Sequence, residues 1–215
     1  MNPAILVFVV VSLSTAHWHA QAEANPPLIA KMEELGAVYV TRTVPKAGAK
    51  GEAKKGTIIG IDFRPMAGSD PKKVAALVKE LSSLPDLQTV LLLGQDVTDA
   101  AAEALPASAK LTSIQFFNTQ VTDKGIGKLT RLPNLQTFKY TGMGVSDQGM
   151  KDLAKIKTLR TIEITDSKIT DAGVLALQTL PNLRALTIEN TAATQRSIDQ
   201  LRDRLPRIEG QRFLR

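Results

Sequence analysis

Residues 159–177 read LRTIEITDSKITDAGVLAL. Leu159, Ile162 and Ile164 are apolar at spacings of three and two, which is the pattern of a short strand with one buried face. After a turn, Ile169-Thr170-Asp171-Ala172-Gly173 leads into Val174, Leu175, Ala176 and Leu177, where the side-chain oxygen of Thr170 or Asp171 is placed to cap the first amides of a helix. Proline, which cannot extend a helix, follows in Leu84-Pro85, Leu132-Pro133, Leu180-Pro181 and Leu205-Pro206. The unit is therefore strand, turn, helix, turn.

Outward from this stretch the pattern recurs every 24 residues without an insertion. Leu87, Leu111, Leu135, Leu159 and Leu183 form one column, and Leu81, Leu105, Leu129, Leu153, Leu177 and Leu201 form another. A third is Val97, Val121, Val145 and Ile169, and a fourth is Thr98-Asp99, Thr122-Asp123, Ser146-Asp147 and Thr170-Asp171. One unit buries too few aliphatic side chains to offset the chain entropy of ordering 24 residues. Stacked units solve this, because each strand pairs with the next and every apolar column becomes continuous: a parallel-sheet solenoid with helices outside.

The pattern L-x-x-L-x-L followed by [VI]-[TS]-D-x-G, over about residues 57–213, resembles the leucine-rich repeat family, and in detail its exported bacterial type with "ITDAGL" units. It is similar also to the repeats of F-box leucine-rich proteins. The resemblance implies an α/β leucine-rich repeat solenoid, with a curved parallel sheet on the concave side, helices on the convex side and an irregular N-terminal cap. Gln95, Thr119, Met143, Ser167 and Thr191 stand where the family usually has asparagine, so a buried asparagine ladder is not expected.

The expected domains are a signal peptide (1–22) and one repeat domain (23–215). The domain divides into a cap with an irregular first unit (23–83), five 24-residue repeats (84–201) and a polar C-terminal cap (202–215). In the first part, Pro26 to Leu35 reads as a helix stopped by Gly36, Ala37 to Thr41 and Thr57 to Phe63 read as strands, and Asp70-Pro71 opens a helix through Leu81. At the far end Thr194-Gln195 replaces Thr-Asp, and Arg202, Arg204, Arg207, Arg212 and Arg215 make the tail polar.

Ala4 to Leu13 is an apolar run too short to span a bilayer, and Ala20-Gln21-Ala22 or Ala22-Glu23-Ala24 fits the small-x-small cleavage rule, so secretion or residence in a periplasm is expected. No Lys or Arg precedes the run, and a membrane anchor is the competing reading. Cleavage would remove His17, His19 and Trp18, leaving a chain with neither His nor Cys. Ser-His-Asp and Cys-His catalysis, imidazole or thiolate zinc sites and disulfides are then excluded, and no cofactor or metal is expected.

Lys and Arg number 27 against 21 Asp and Glu, for a net charge of +6, which favours acidic partners without requiring them. Lys46, Lys50, Lys54 and Lys55 with Gly48, Gly51 and Gly56 form a basic loop that lacks the spacing of a phosphate-binding loop and the interleaved aromatics of a single-strand nucleic-acid surface. Asp99, Asp123, Asp147 and Asp171 would stack as a row of carboxylates, a pattern open to calcium binding or acid chemistry. Helix capping accounts for them more simply, because the motif repeats in every unit whereas a reaction centre needs one distinct constellation.

Function is expected on the strand face turned away from the core. One row is Leu91, Gln115, Lys139, Glu163 and Thr187, and the next is Leu93, Phe117, Thr141, Thr165 and Glu189. Leu91, Leu93 and Phe117 would form an apolar patch, or be covered by the N-terminal cap or the basic loop, while Lys139, Glu163, Asp166, Glu189 and Asn190 supply polar specificity. The expectation is a non-catalytic module that binds a protein partner. The alternatives are a polyanion binder using the Lys and Arg clusters, a carboxylate hydrolase, and an adaptor of F-box type, which the absence of an F-box-like helical segment argues against.

Overall fold

The computed structural model describes residues 26–35, 38–44, 57–204 and 210–214. The expected leader, the Gly36 helix stop, the basic loop and Leu205-Pro206 lie outside the described residues.

The chain opens with helix α1 (Pro26–Glu34), whose Leu28 and Met32, one turn apart, are both buried. Strands β1 (Val38–Val44) and β2 (Thr57–Arg64) pair antiparallel, three residues longer at the end of β1 than the apolar run suggests. Helix α2 (Pro71–Glu80) starts where Asp70 accepts from the Lys72 amide at 2.9 Å, and buries Val74, Leu77 and Val78.

From there the units are nearly identical. Strands β3 (Thr89–Leu93), β4 (Ser113–Phe117), β5 (Thr137–Thr141), β6 (Thr161–Thr165) and β7 (Ala185–Glu189) alternate with helices α3 (Asp99–Ala104), α4 (Asp123–Lys128), α5 (Asp147–Leu153), α6 (Asp171–Ala176) and α7 (Gln195–Arg204). The sheet runs in chain order from β1 through β7 to a last strand, β8 (Gly210–Leu214), and every pair from β2 onward is parallel. Equivalent residues are paired 24 apart, Val90 with Ile114, Phe138, Ile162 and Leu186 in turn.

A repeated clamp locks this register before each strand. The amides of Thr112 and Ser113 both donate to Gln88 O (2.9 and 3.0 Å), those of Gln136 and Thr137 to Thr112 O (2.8 and 2.9 Å), and those of Arg160 and Thr161 to Gln136 O (2.8 and 3.0 Å). The expected leucine columns are buried throughout, Leu111, Leu135 and Leu159 with no exposure at all. In the middle of the stack the aliphatic spine gives way to rings: Phe116 meets Phe138 edge-on at 6.3 Å, and Phe138 stacks on Tyr140 at 6.4 Å.

The C-terminal end is built from a helix and one further strand. Helix α7 ends at Arg204, and β8 (Gly210–Leu214) then joins the sheet parallel to β7, with Thr187 opposite Arg212. The physical reason is the free edge of β7, whose backbone donors and acceptors are satisfied by a further strand whatever its side chains.

Candidate functional site

Strands β3 to β7 share one burial pattern, with the second and fourth residues in the core and the first, third and fifth on the open face. Both expected rows are therefore on that face. Their members are half-buried rather than fully exposed, because a parallel sheet sets equivalent side chains side by side about 5 Å apart. Leu93 lies directly opposite Phe117, with Leu91 two positions back on the same strand, so the three apolar residues are brought together. Next to them the face turns polar: Gln115 leads to Lys139, whose Nζ is 2.7 Å from Glu163 Oε2, and Thr141 Oγ1 lies 2.8 Å from Thr165 Oγ1. Glu189 follows Thr165 in the outer row, with Leu214 of β8 opposite it.

Asp166 lies one residue beyond the end of β6. It follows β6 in a left-handed turn (φ 55°), as do Asn118 (52°) and Asn190 (51°), and Gly94 and Gly142 hold the same place with positive φ. Asn and Asp tolerate this conformation because their short side chains bond locally, and glycine because it has no Cβ. These turns make a rim along the ends of the strands. On it Asp166 Oδ1 accepts from Asn190 Nδ2 at 2.8 Å. A column holding only Gly, Asn and Asp was the signal in the sequence.

The rim is uneven at Gly142-Met143-Gly144. Thr119 and Ser167 turn inward and are buried, whereas Met143 is 63% exposed. Tyr140 explains the difference, because its hydroxyl occupies the inner place, donating to Val121 O at 2.9 Å and accepting from the Gly144 amide at 3.0 Å. Gly144 has to be glycine, since a Cβ there would run into Val121 O and come within 2.9 Å of the Tyr140 hydroxyl. Burial raises the phenol above its ordinary 10.0, the Gly144 amide opposes the shift, and the Asp123 and Asp99 charges add to it. The turn leaves a cleft of about 440 Å³ lined by Gln95, Asn118, Thr119, Gln120, Met143 and Asp166, among others.

On the helix side the aspartate column caps helices, with a correction to which ones. Thr122, Ser146 and Thr170 cap their own helices, accepting from Lys124, Gln148 and Ala172 amides at 3.3, 3.2 and 3.3 Å. Each aspartate instead caps the helix of the next unit. Asp123 Oδ1 accepts from the Ser146 and Gly149 amides at 2.9 Å each, and its Oδ2 from Ser146 Oγ at 2.6 Å. Asp99 does the same for Thr122 and Gly125, while Asp147 and Asp171 accept from the amide and hydroxyl of Thr170 and Thr194. The motif's glycine follows from this: a Cβ on Gly149 would sit 2.5 Å from Asp123 Oδ1. Ala101 holds that column where no aspartate lies behind it, and Ser197 holds it at the end. The carboxylates are thus committed to amides, and no group of three or more acidic or imidazole side chains able to hold a metal occurs among the described residues.

No family model matches the chain, and no curated protein is significantly similar to it. Among solved structures, internalin C2 from Listeria monocytogenes is similar in fold at 16% identity and a TM-score of 0.50, the match covering 90% of this chain and 92% of that one. The fold is a leucine-rich repeat solenoid. A second internalin of the same organism matches at 15% identity and a TM-score of 0.49 over 66% of this chain, which spans 43% of that structure's length. Within the leucine-rich repeat solenoid, no described helix is long and apolar enough to cross a membrane.

Proposed function

We propose that this chain is a non-catalytic protein-binding module, exported from the cell that makes it, which docks a protein partner on the concave face of its sheet. The observation that carries the reading is the unequal face itself. Leu91, Leu93 and Phe117 form a contiguous apolar patch that the described residues leave half in water, beside the charged pair Lys139 and Glu163 and the carboxylate of Glu189. An apolar centre with a polar, charged margin is the make-up of a contact surface. The column aspartates Asp99, Asp123, Asp147 and Asp171 accept from amides of the next unit, which leaves them unsuited to acid chemistry. Export is supported by the apolar run Ala4 to Leu13 and the small residues after it.

The test joins affinity capture from an envelope extract to the double variant Leu91→Ser with Phe117→Ser. The expected result is loss of a partner that the unaltered chain retains, with thermal unfolding nearly unchanged. Unfolding at a much lower temperature would show these side chains to be core, and capture that survives the substitutions would place the partner elsewhere.

A further inference from the structure

The rim cleft beside Met143 has a chemistry of its own. We infer that it receives an arginine side chain of the protein partner, an inference that extends the protein-binding reading from the concave face to its edge. Three observations converge on a guanidinium. Asp166 is the one charged residue among those lining the cleft. Its Oδ1 is engaged by Asn190 Nδ2, and no described residue engages Oδ2. Gln120 also lines the cleft and donates through Nε2 to Gln95 Oε1, while Gln95 Nε2 donates to Asn118 O at 2.6 Å. This chain of amides fixes the orientation of Gln120 and leaves its Oε1 as an acceptor. The wall is Met143, driven outward by the Tyr140 hydroxyl.

A carboxylate oxygen suits the planar fork of a guanidinium, and an exposed thioether suits the aliphatic stem behind it. Lysine could meet the charge, but its compact, strongly hydrated ammonium is less suited to lie against a thioether than the weakly hydrated guanidinium. Met66 and Met143 are the large apolar side chains left exposed among the described residues, and both follow a sheet strand on this same rim. A partner reaching over the edge of the face would cover them.

The experiment is an NMR titration of the ¹⁵N-labelled protein with Nα-acetyl-arginine methylamide, and with its lysine and glutamate counterparts. Saturable shifts of the Asn118, Gly142 and Gly144 amides are expected with the arginine probe. Asp166→Asn should weaken them about three- to fivefold, as expected for a half-exposed ion pair. This variant keeps the left-handed turn, because Asn118 and Asn190 already occupy that place. If it fails to fold, Met143→Gln, at an exposed site, serves in its stead and should also weaken the response. Absence of shifts, equal binding by Asp166→Asn, or equal binding of the lysine or glutamate probe would each overturn the inference. Because the probe reports on the cleft alone, a silent cleft refutes only this inference, whereas a chain that binds the probe but retains no partner refutes the protein-binding reading.

Discussion

Substituting Asp123 by Ala removes one acceptor group and three hydrogen bonds: two from backbone amides at 2.9 Å and one from Ser146 Oγ at 2.6 Å. A hydrogen bond to a charged group contributes about 1.5–3 kcal/mol, and the half-buried site lets water recover part of it, so the expected cost is about 2–3 kcal/mol. Substituting Gly149 by Ala instead keeps the acceptor and drives a Cβ to within 2.5 Å of Asp123 Oδ1 and 2.9 Å of Val145 Cγ1. The carboxylate has to swing away, losing the same bonds, at a similar cost of about 2–3 kcal/mol less the roughly 1 kcal/mol that alanine gains over glycine in a helix.

With both substitutions the oxygen that the new methyl meets is gone, leaving the closeness to Val145. The double variant should be less destabilised than the two single effects added together, by about 1–2 kcal/mol. Urea unfolding followed by circular dichroism at neutral pH measures all four corners of the cycle. Additivity within about 0.5 kcal/mol would refute the reasoning that carboxylate and glycine form one device spanning two units.

Two further predictions rest on single side chains. Tyr140→Phe leaves Val121 O and the Gly144 amide without the hydroxyl between them and should destabilise by about 1–3 kcal/mol in the same assay. In the unaltered chain the Tyr140 phenol should ionise above 10.0 in an ultraviolet titration, and an ordinary value would refute its burial. The Asp171 carboxyl is held below its ordinary 3.8, first by the Thr194 amide and then by the Ser197 hydroxyl. A lowered folded value means that its contribution to stability is fully present above the unfolded value and is lost as pH falls through the folded one. Unfolding from pH 7 downward should therefore show a shallower acid limb in Asp171→Asn, and an unchanged slope would refute the linkage.

The leucine columns and the strand-turn-helix unit were legible because a core of stacked units imposes the same spacing on every repeat, and a spacing shows in one dimension. Thr170 was readable as a cap for the same reason, since its partner, the Ala172 amide, is two residues away. Asp147 was readable only as some cap, because its partners lie 23 residues on in sequence, and a repeat of 24 brings many residues to that distance. Asp166 was legible as a polar neighbour of the open face but not as a residue of the rim. One left-handed residue redirects the chain, and the Gly, Asn or Asp that permits it was visible only as a column.

By itself the sequence determined which side chains form the spine, because burial of aliphatic groups depends on their periodicity and little else. It also determined which rows face away from that spine. Tertiary structure alone decided that Asp123 belongs to the helix after its own and that a β-strand closes the C-terminal end. It decided too that a tyrosine hydroxyl pushes Met143 out to open a cleft. Each of these depends on the distance between atoms of different units, which is fixed when the units stack and is not encoded in the order of residues within one.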